Sequence, residues 1–165
     1  MNQNHHPYWQ PEEIRAINES ERLEEAVQIS LKIIRRIPDP VAMVSGPLTT
    51  GGLGSFEANL RLFGFVILKL SAEGHYIFSQ LPAEDLMVKV WRKWLEPCYC
   101  MPILEDFYRS IFESGLVKRV HFIPGWQRSF GARWEKEECH RLGIETNFLS
   151  DESVKDLAQK ALLAS

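Results

Sequence analysis

The first β-strand of this chain is indicated by Val41-Ala42-Met43-Val44-Ser45, a short apolar run that stops at Gly46-Pro47. A run without polar alternation is typical of a strand buried on both faces, as in a parallel sheet. The loop over residues 46–54 is rich in glycine and hydroxyl groups, and a helix is predicted over residues 55–73. Many α/β proteins build phosphate sites from a strand, a glycine-rich loop and a helix in succession. The loop has neither the GxGxxG nor the Walker pattern, and its glycines are equally compatible with a flexible connection.

Helical and extended patterns alternate along the rest of the chain. Pro38 and Pro40 end a helical segment over residues 10–36, so residues 1–40 are interpreted as an N-terminal helical extension and 41–165 as an α/β domain. Residues 79–100 have no clear pattern. The alternation predicts a parallel sheet of four or five strands with helices on both faces. The remaining expected strands are 75–78, 116–123 and 144–148, and the remaining expected helices are 101–115, 131–142 and a last one capped by Ser150.

Composition limits the classes of function. The chain has 165 residues, 45% of them hydrophobic, which is typical of one globular domain. A net charge of −3 argues against binding of nucleic-acid polymers but leaves a small anionic ligand possible. The polar N-terminus and the short longest apolar run predict a cytoplasmic protein without a membrane partner. Three cysteines without a CxxC pair, Cys98, Cys100 and Cys139, favour neither a disulfide framework nor a metal site.

The segment from Ser129 to Glu135 carries the strongest chemical signal. With Ser129 as N-cap, the backbone N–H groups of Phe130, Gly131 and Ala132 would point out of the helix start, where an anion can bind. Glu135 would project over Gly131 because residues i and i+4 share one helical face. A phosphate site beside a carboxylate suggests glycosyl or phosphoryl chemistry on a nucleotide. The alternative is a capped amphipathic helix whose glutamates are solvated.

Four short motifs together resemble the nucleoside 2-deoxyribosyltransferase-like superfamily, and most closely its small, mostly uncharacterised bacterial and phage members. The resemblance covers residues 41–148, and its most specific part ends at Glu135. It implies a Rossmann-like, flavodoxin-type fold and an enzyme that cleaves or transfers an N-glycosidic bond without a cofactor. The motifs are Val44-Ser45-Gly46-Pro47, Gly74-His75-Tyr76-Ile77-Phe78-Ser79-Gln80, Asp106-Phe107-Tyr108 and Pro124-Gly125-Trp126-Gln127-Arg128-Ser129-Phe130-Gly131-Ala132.

The resemblance also implies roles for individual residues. Glu135 would be the nucleophile that forms a glycosyl-enzyme intermediate, and Asp106 would protonate the leaving base or position a sugar hydroxyl. Two departures from the family pattern bear on the activity. Met43 stands where family enzymes often have a tyrosine, and Ser129 stands where the transferases tend to have an aspartate. The 5′-phosphate of a nucleoside monophosphate would be held by Gly46, Pro47, Leu48, Thr49, Thr50, Ser129 and Gly131.

Ser129 in place of aspartate favours a hydrolase of nucleotides, whereas Met43 favours the alternative of a non-catalytic nucleotide-binding or sensing module. A structural or interaction protein is the third interpretation. Family members are commonly homo-oligomers, and the apolar stripe from Leu23 to Ile34 could be buried by association. The same stripe could instead pack on the protein's own sheet.

Overall fold

A computed structural model describes residues 6–49 and 51–164, and its centre is a parallel β-sheet in the order β2-β1-β3-β4. Its central pair, β1 and β3, is in register from Ala42 opposite Arg119 to Ser45 opposite Phe122. This is the order of the first four strands in flavodoxin-type sheets. The predicted parallel α/β sheet is confirmed, with four strands: β1 (Val41–Ser45), β2 (Tyr76–Ile77), β3 (Val117–Phe122) and β4 (Glu145–Phe148).

Helices alternate with the strands and cover both faces of the sheet. Short 3₁₀ turns at Leu81–Ala83 and Trp126–Arg128 precede α4 and α6, and a π-helical segment, Ile103–Tyr108, runs directly into α5. The segment without a clear sequence pattern thus contains α4. The helices are α1 (Pro11–Glu19), α2 (Leu23–Ile34), α3 (Phe56–Ala72), α4 (Glu84–Arg92), α5 (Arg109–Glu113), α6 (Phe130–Leu142) and α7 (Asp151–Leu163).

Two hydrophobic cores lie on opposite faces of the sheet because alternate strand residues point to opposite sides. Ala42 and Val44 face α3 and α7, where Phe63, Val66 and Ile67 complete the packing. Val41 and Met43 face the other core, which is filled by residues of α1, α2, α4, the π-helical segment, α5 and α6. Burial on both faces explains why β1 is a continuous apolar run.

The N-terminal helices share the second core with the sheet. Ile17 and Ile33 are fully buried there together with Met43. Glu13 on α1 accepts two hydrogen bonds from the guanidinium of Arg36, at 2.5 and 2.7 Å, which fixes α1 against the end of α2. The apolar stripe of α2 is buried within its own chain, and α1 and α2 share one hydrophobic core with the α/β unit.

Within the described ranges, no helix combines the length and apolar character that crossing a lipid bilayer requires.

Candidate functional site

Buried polar side chains from three segments meet at the carboxyl end of the sheet. Ser45 is the last residue of β1, Gln80 follows β2, and Glu135 lies on α6, which follows β3. Their exposed fractions are 1%, 2% and 7%. Carboxyl ends of parallel strands are where α/β proteins bind ligands, so this cluster is the candidate functional site.

Glu135 is a buried carboxyl with a second carboxyl beside it. The pKa of Glu135 is raised to about 8, chiefly by burial; the Ser45 hydroxyl lowers it, and the charge of Glu84 raises it to a smaller degree. Glu84, the first residue of α4, remains partly exposed; burial of its carboxyl, with Asp85 next to it, raises its pKa to about 7. Two carboxyls with pKa values near neutrality can be in opposite protonation states at the same pH, one as an acid and the other as a base.

Two tyrosines adjoin this carboxyl pair. Tyr108 comes from the π-helical segment and Tyr99 from the loop before it. Burial, and to a lesser degree Glu84 and Glu135, raise the pKa of Tyr108 well above its usual range, and the same groups raise the pKa of Tyr99 to about 12. Both phenols therefore stay protonated and can donate hydrogen bonds. Met43, which stands where the family pattern often has a tyrosine, is buried in the core and has no hydroxyl.

Two buried polar atoms at the site have no hydrogen-bond partner among the described residues: Oγ of Ser45 and Oε1 of Gln80. The Ser45 hydroxyl is near enough to Glu135 to stabilise its ionised form, but no hydrogen bond of normal geometry joins the two residues. Nε2 of Gln80 donates to the carbonyl of Val44 at 2.8 Å, which fixes the orientation of the amide. An unsatisfied buried polar group costs about 1–3 kcal/mol, so a ligand that bonds to these two atoms would recover that cost.

Asp106, the second carboxylate expected from the sequence, does not join the cluster. Asp106 is exposed in the π-helical segment, and its carboxylate is not among the groups that shift the pKa of Glu135. Glu84 is instead the carboxyl whose charge raises the pKa of Glu135. The sequence reasoning missed Glu84 because residues 79–100 had no interpretable periodicity; the acidic pair Glu84-Asp85 after Pro82 was the available signal for a helix start.

The start of α6 has the expected cap and two free backbone donors. Oγ of Ser129 accepts a hydrogen bond from the N–H of Ala132 at 3.2 Å. No described residue accepts from the N–H of Phe130 or Gly131. These donors, at the positive end of the helix dipole, are suited to an anion.

Tyr99 covers this helix start. Its ring stacks on Phe130 with 4.7 Å between ring centroids, and its hydroxyl would lie 3.0 Å from a Cβ added at Gly131. Glycine at this position lets the phenol approach the backbone of α6 closely. A ligand that reaches the free N–H groups must displace Tyr99.

The loop after β1 is shaped by contacts within the protein. A Cβ at Gly46 would lie 2.8 Å from the Cβ of Ile123, so close packing of β1 and β3 requires glycine there. Pro47 is buried, Leu48 is partly buried, Thr49 is exposed, and Thr50 lies outside the described residues.

Asn59 on α3 organises the rest of that loop. Its Oδ1 accepts from the N–H of Leu53 at 2.7 Å, and its Nδ2 donates to the carbonyls of Leu48 and Gly51 at 2.9 and 3.2 Å. The sequence reasoning missed Asn59; a polar residue in an apolar helix pattern was the only signal. The loop thus has a structural role that does not depend on a phosphate.

A groove of about 960 Å³ lies on the other side of the loop between β3 and α6. Glu135 does not line it. Pro47 and Gly52 form one wall, and Arg128 and Lys155 supply basic groups. The carboxyl cluster is therefore a closed site next to, but separate from, this groove.

Metal ligation has no obvious candidate: across residues 6–49 and 51–164, no group of three or more His, Cys, Asp or Glu side chains is arranged to hold an ion. Comparison with known proteins finds no family model, no curated protein and no solved structure that matches this chain.

Proposed function

We propose that this protein cleaves or transfers the N-glycosidic bond of a nucleoside 5′-monophosphate, with Glu135 as the nucleophile. The observation that carries the proposal is the pairing of Glu135 with Glu84 in a buried polar cluster that has unpartnered groups. A buried carboxyl together with a second, partly exposed one supplies the two functions that glycosidic bond cleavage needs. The sequence resemblance supports the same chemistry.

The reaction divides between the two carboxyls. The ionised Glu135 attacks the anomeric carbon while the bond from that carbon to the base nitrogen breaks, and the protonated Glu84 gives its proton to the departing base. Water, activated by the now ionised Glu84, then releases the sugar from Glu135 and restores the proton to Glu84. Because the pKa of Glu135 is about 8 and that of Glu84 is about 7, the reactive form, with Glu135 ionised and Glu84 protonated, is the minor one of the two singly protonated forms. The Ser45 hydroxyl increases the share of this form by stabilising the ionised Glu135.

The 5′-phosphate is assigned to the start of α6. The N–H groups of Phe130 and Gly131 have no acceptor in the described chain, and Glu135 lies one turn further along the same helix. A phosphate at these donors would place the attached sugar beside Glu135. This assignment requires Tyr99 to move away from Gly131 when the nucleotide binds.

The test is release of free base from a panel of ribo- and deoxyribonucleoside monophosphates. We expect Glu135→Gln to lower kcat/KM by at least about a thousandfold and Glu84→Gln by about a hundredfold. Glu137→Gln is the matched control, because Glu137 lies on the same helix with its side chain 71% exposed. Equal activity of wild type and Glu135→Gln would overturn the assigned nucleophile.

A non-catalytic nucleotide-binding module is the second candidate. It is favoured by the position of Tyr99 over Gly131, which closes the site. Thermal stabilisation by nucleotides without release of base would support this candidate. Absence of any response to nucleotides would contradict both.

A further inference from the structure

We infer, on the basis of the proposed function, that the substrate carries ribose and that Gln80 selects ribose over 2-deoxyribose. The inference rests on the chemistry of the unpartnered atoms around Glu135 and Glu84. It assigns to Gln80 the recognition of a sugar hydroxyl.

Gln80 is held in one orientation. Its side chain is 98% buried, and Nε2 donates to the carbonyl of Val44 at 2.8 Å. This bond anchors the amide to the end of β1, so the nitrogen is engaged and Oε1 remains as an acceptor without a partner. Because Gln80 also contacts the Tyr108 side chain, which lies close to both carboxyls, this acceptor belongs to the same cluster.

The cluster has more acceptors than donors. Carboxyl oxygens of Glu84 and Glu135 and Oε1 of Gln80 accept hydrogen bonds, whereas the donors are the hydroxyls of Ser45, Tyr99 and Tyr108 and the one carboxyl that is protonated. A ligand that satisfies this cluster must itself present donors. A ribose supplies two vicinal hydroxyl donors, and Oε1 of Gln80 is assigned to the 2′-hydroxyl because that hydroxyl is on the carbon next to the anomeric carbon that Glu135 attacks.

Loss of the 2′-hydroxyl would leave a buried acceptor unmatched. A site built to bond a hydroxyl rejects an analogue that lacks it much more strongly than an apolar pocket rejects a missing methylene. Selection for ribose therefore follows from the unpaired Oε1 of Gln80, whichever base the nucleotide carries.

The first experiment compares binding of ribose 5-phosphate and 2-deoxyribose 5-phosphate to the wild-type protein by calorimetry, which needs no knowledge of the base. We expect ribose 5-phosphate to bind at least about tenfold more tightly. In parallel, kcat/KM for ribonucleotides should exceed that for the matching 2′-deoxyribonucleotides by about a hundredfold or more. Equal or tighter binding of the deoxy sugar, or no binding of either, overturns the inference.

The second experiment uses Gln80→Met, which keeps the side-chain length and removes Oε1. We expect the preference for ribose to disappear, mainly through weaker binding of ribose 5-phosphate. Gln28→Met, at an exposed position of α2, is the control and should retain the preference. An unchanged preference in a folded Gln80→Met protein contradicts the role of Gln80.

The two proposals fail in distinguishable ways. Base release from deoxyribonucleotides at rates equal to ribonucleotides overturns ribose selection and leaves the glycosidase proposal standing. No base release from any nucleotide, with sugar phosphates bound and ribose preferred, overturns the enzymatic proposal and supports the sugar specificity of the site.

Discussion

Burying the Glu135 carboxyl costs folding free energy whenever that carboxyl is ionised. Its pKa is about 8 in the folded protein, against an ordinary value of 4.5, chiefly because of desolvation. The folded state therefore retains a proton that the unfolded chain loses above pH 4.5. The contribution of this group to stability is full below about pH 4.5 and is lost as the pH rises through about 8.

Glu135→Gln should consequently stabilise the protein at alkaline pH. An amide cannot ionise, so the variant avoids the desolvation cost. We expect the free energy of unfolding at pH 8.5 to rise by about 2 kcal/mol, with little difference at pH 4.5. Urea denaturation at the two pH values measures this. A variant less stable than wild type at pH 8.5 would mean that the ionised carboxylate is well satisfied in the fold.

The carboxyl pair also predicts the pH dependence of catalysis. Below about pH 7 both Glu84 and Glu135 are protonated and no nucleophile is present, whereas above about pH 8 both are ionised and no acid remains. We expect a bell-shaped profile of kcat/KM with its maximum between these values. A rate that stays constant from pH 5 to pH 9 would exclude the pair as acid and base.

At the scale of elements, the loop between β1 and α3 depends on one side chain. Asn59 is 3% exposed and makes three hydrogen bonds to the backbone of that loop. Its Oδ1 also fills the space beside Gly52, where an added Cβ would lie 2.3 Å away. The glycine-rich sequence of the loop is thus explained by the Asn59 contact as well as by positive φ angles, 71° at Gly51 and 61° at Gly52.

Asn59→Ala should destabilise the protein by about 2–3 kcal/mol, because three backbone groups of the loop lose their hydrogen-bond partner. Thermal or urea unfolding measures the loss. Asn18→Ala, at an exposed position of α1, serves as the control and should have little effect. A loss below about 0.5 kcal/mol for Asn59→Ala would mean that water replaces the side chain without penalty.

At the scale of the whole molecule, the N-terminal helices complete a core. Ile17, Ile33 and Ile34 are buried against the same face of the sheet as Met43. Removing them would expose that face to water, at a cost that a domain of this size cannot offset. The sequence predicted a boundary at residue 40 between an N-terminal extension and an α/β domain. Residues from both sides of that boundary pack in this core.

A chain of residues 41–165 should therefore fail to fold. We expect its circular dichroism and one-dimensional NMR spectra to lack the signals of a packed core, whereas the full chain unfolds cooperatively. Restoring residues 1–40 as a separate peptide should recover part of the structure. A cooperative unfolding transition of the 41–165 chain alone would contradict a shared core.

Homo-oligomer formation stays a prediction, but the apolar surface expected to associate is a different one. The α2 stripe is buried within the chain, so it is not free to associate. The exposed apolar residues that remain include Trp91 at 60% and Leu95 at 91%. We expect light scattering to give a mass above 19.1 kDa and Leu95→Glu to lower it. A mass of 19.1 kDa for the wild type at micromolar concentration would refute association.

Sequence patterns were sufficient for features that depend on neighbouring residues. The apolar run Val41–Ser45 and the caps at Ser129 and Ser150 are local signals, and each predicts its element. Because parallel strands place their carboxyl ends together, the alternation of elements also placed the start of α6 beside the end of β1. The nucleophile candidate Glu135 and its buried neighbour Ser45 were within reach of that reasoning.

Contacts between segments that are distant in sequence could not be predicted from local sequence patterns. Glu84 is 51 positions from Glu135 along the chain, and no periodicity relates the two; only folding of α4 onto the sheet edge brings their carboxyls together. The same holds for Tyr99 over Gly131 and for the exposure of Asp106. A pKa near neutrality is a property of burial and of neighbouring charge, and both arise only when the chain is packed.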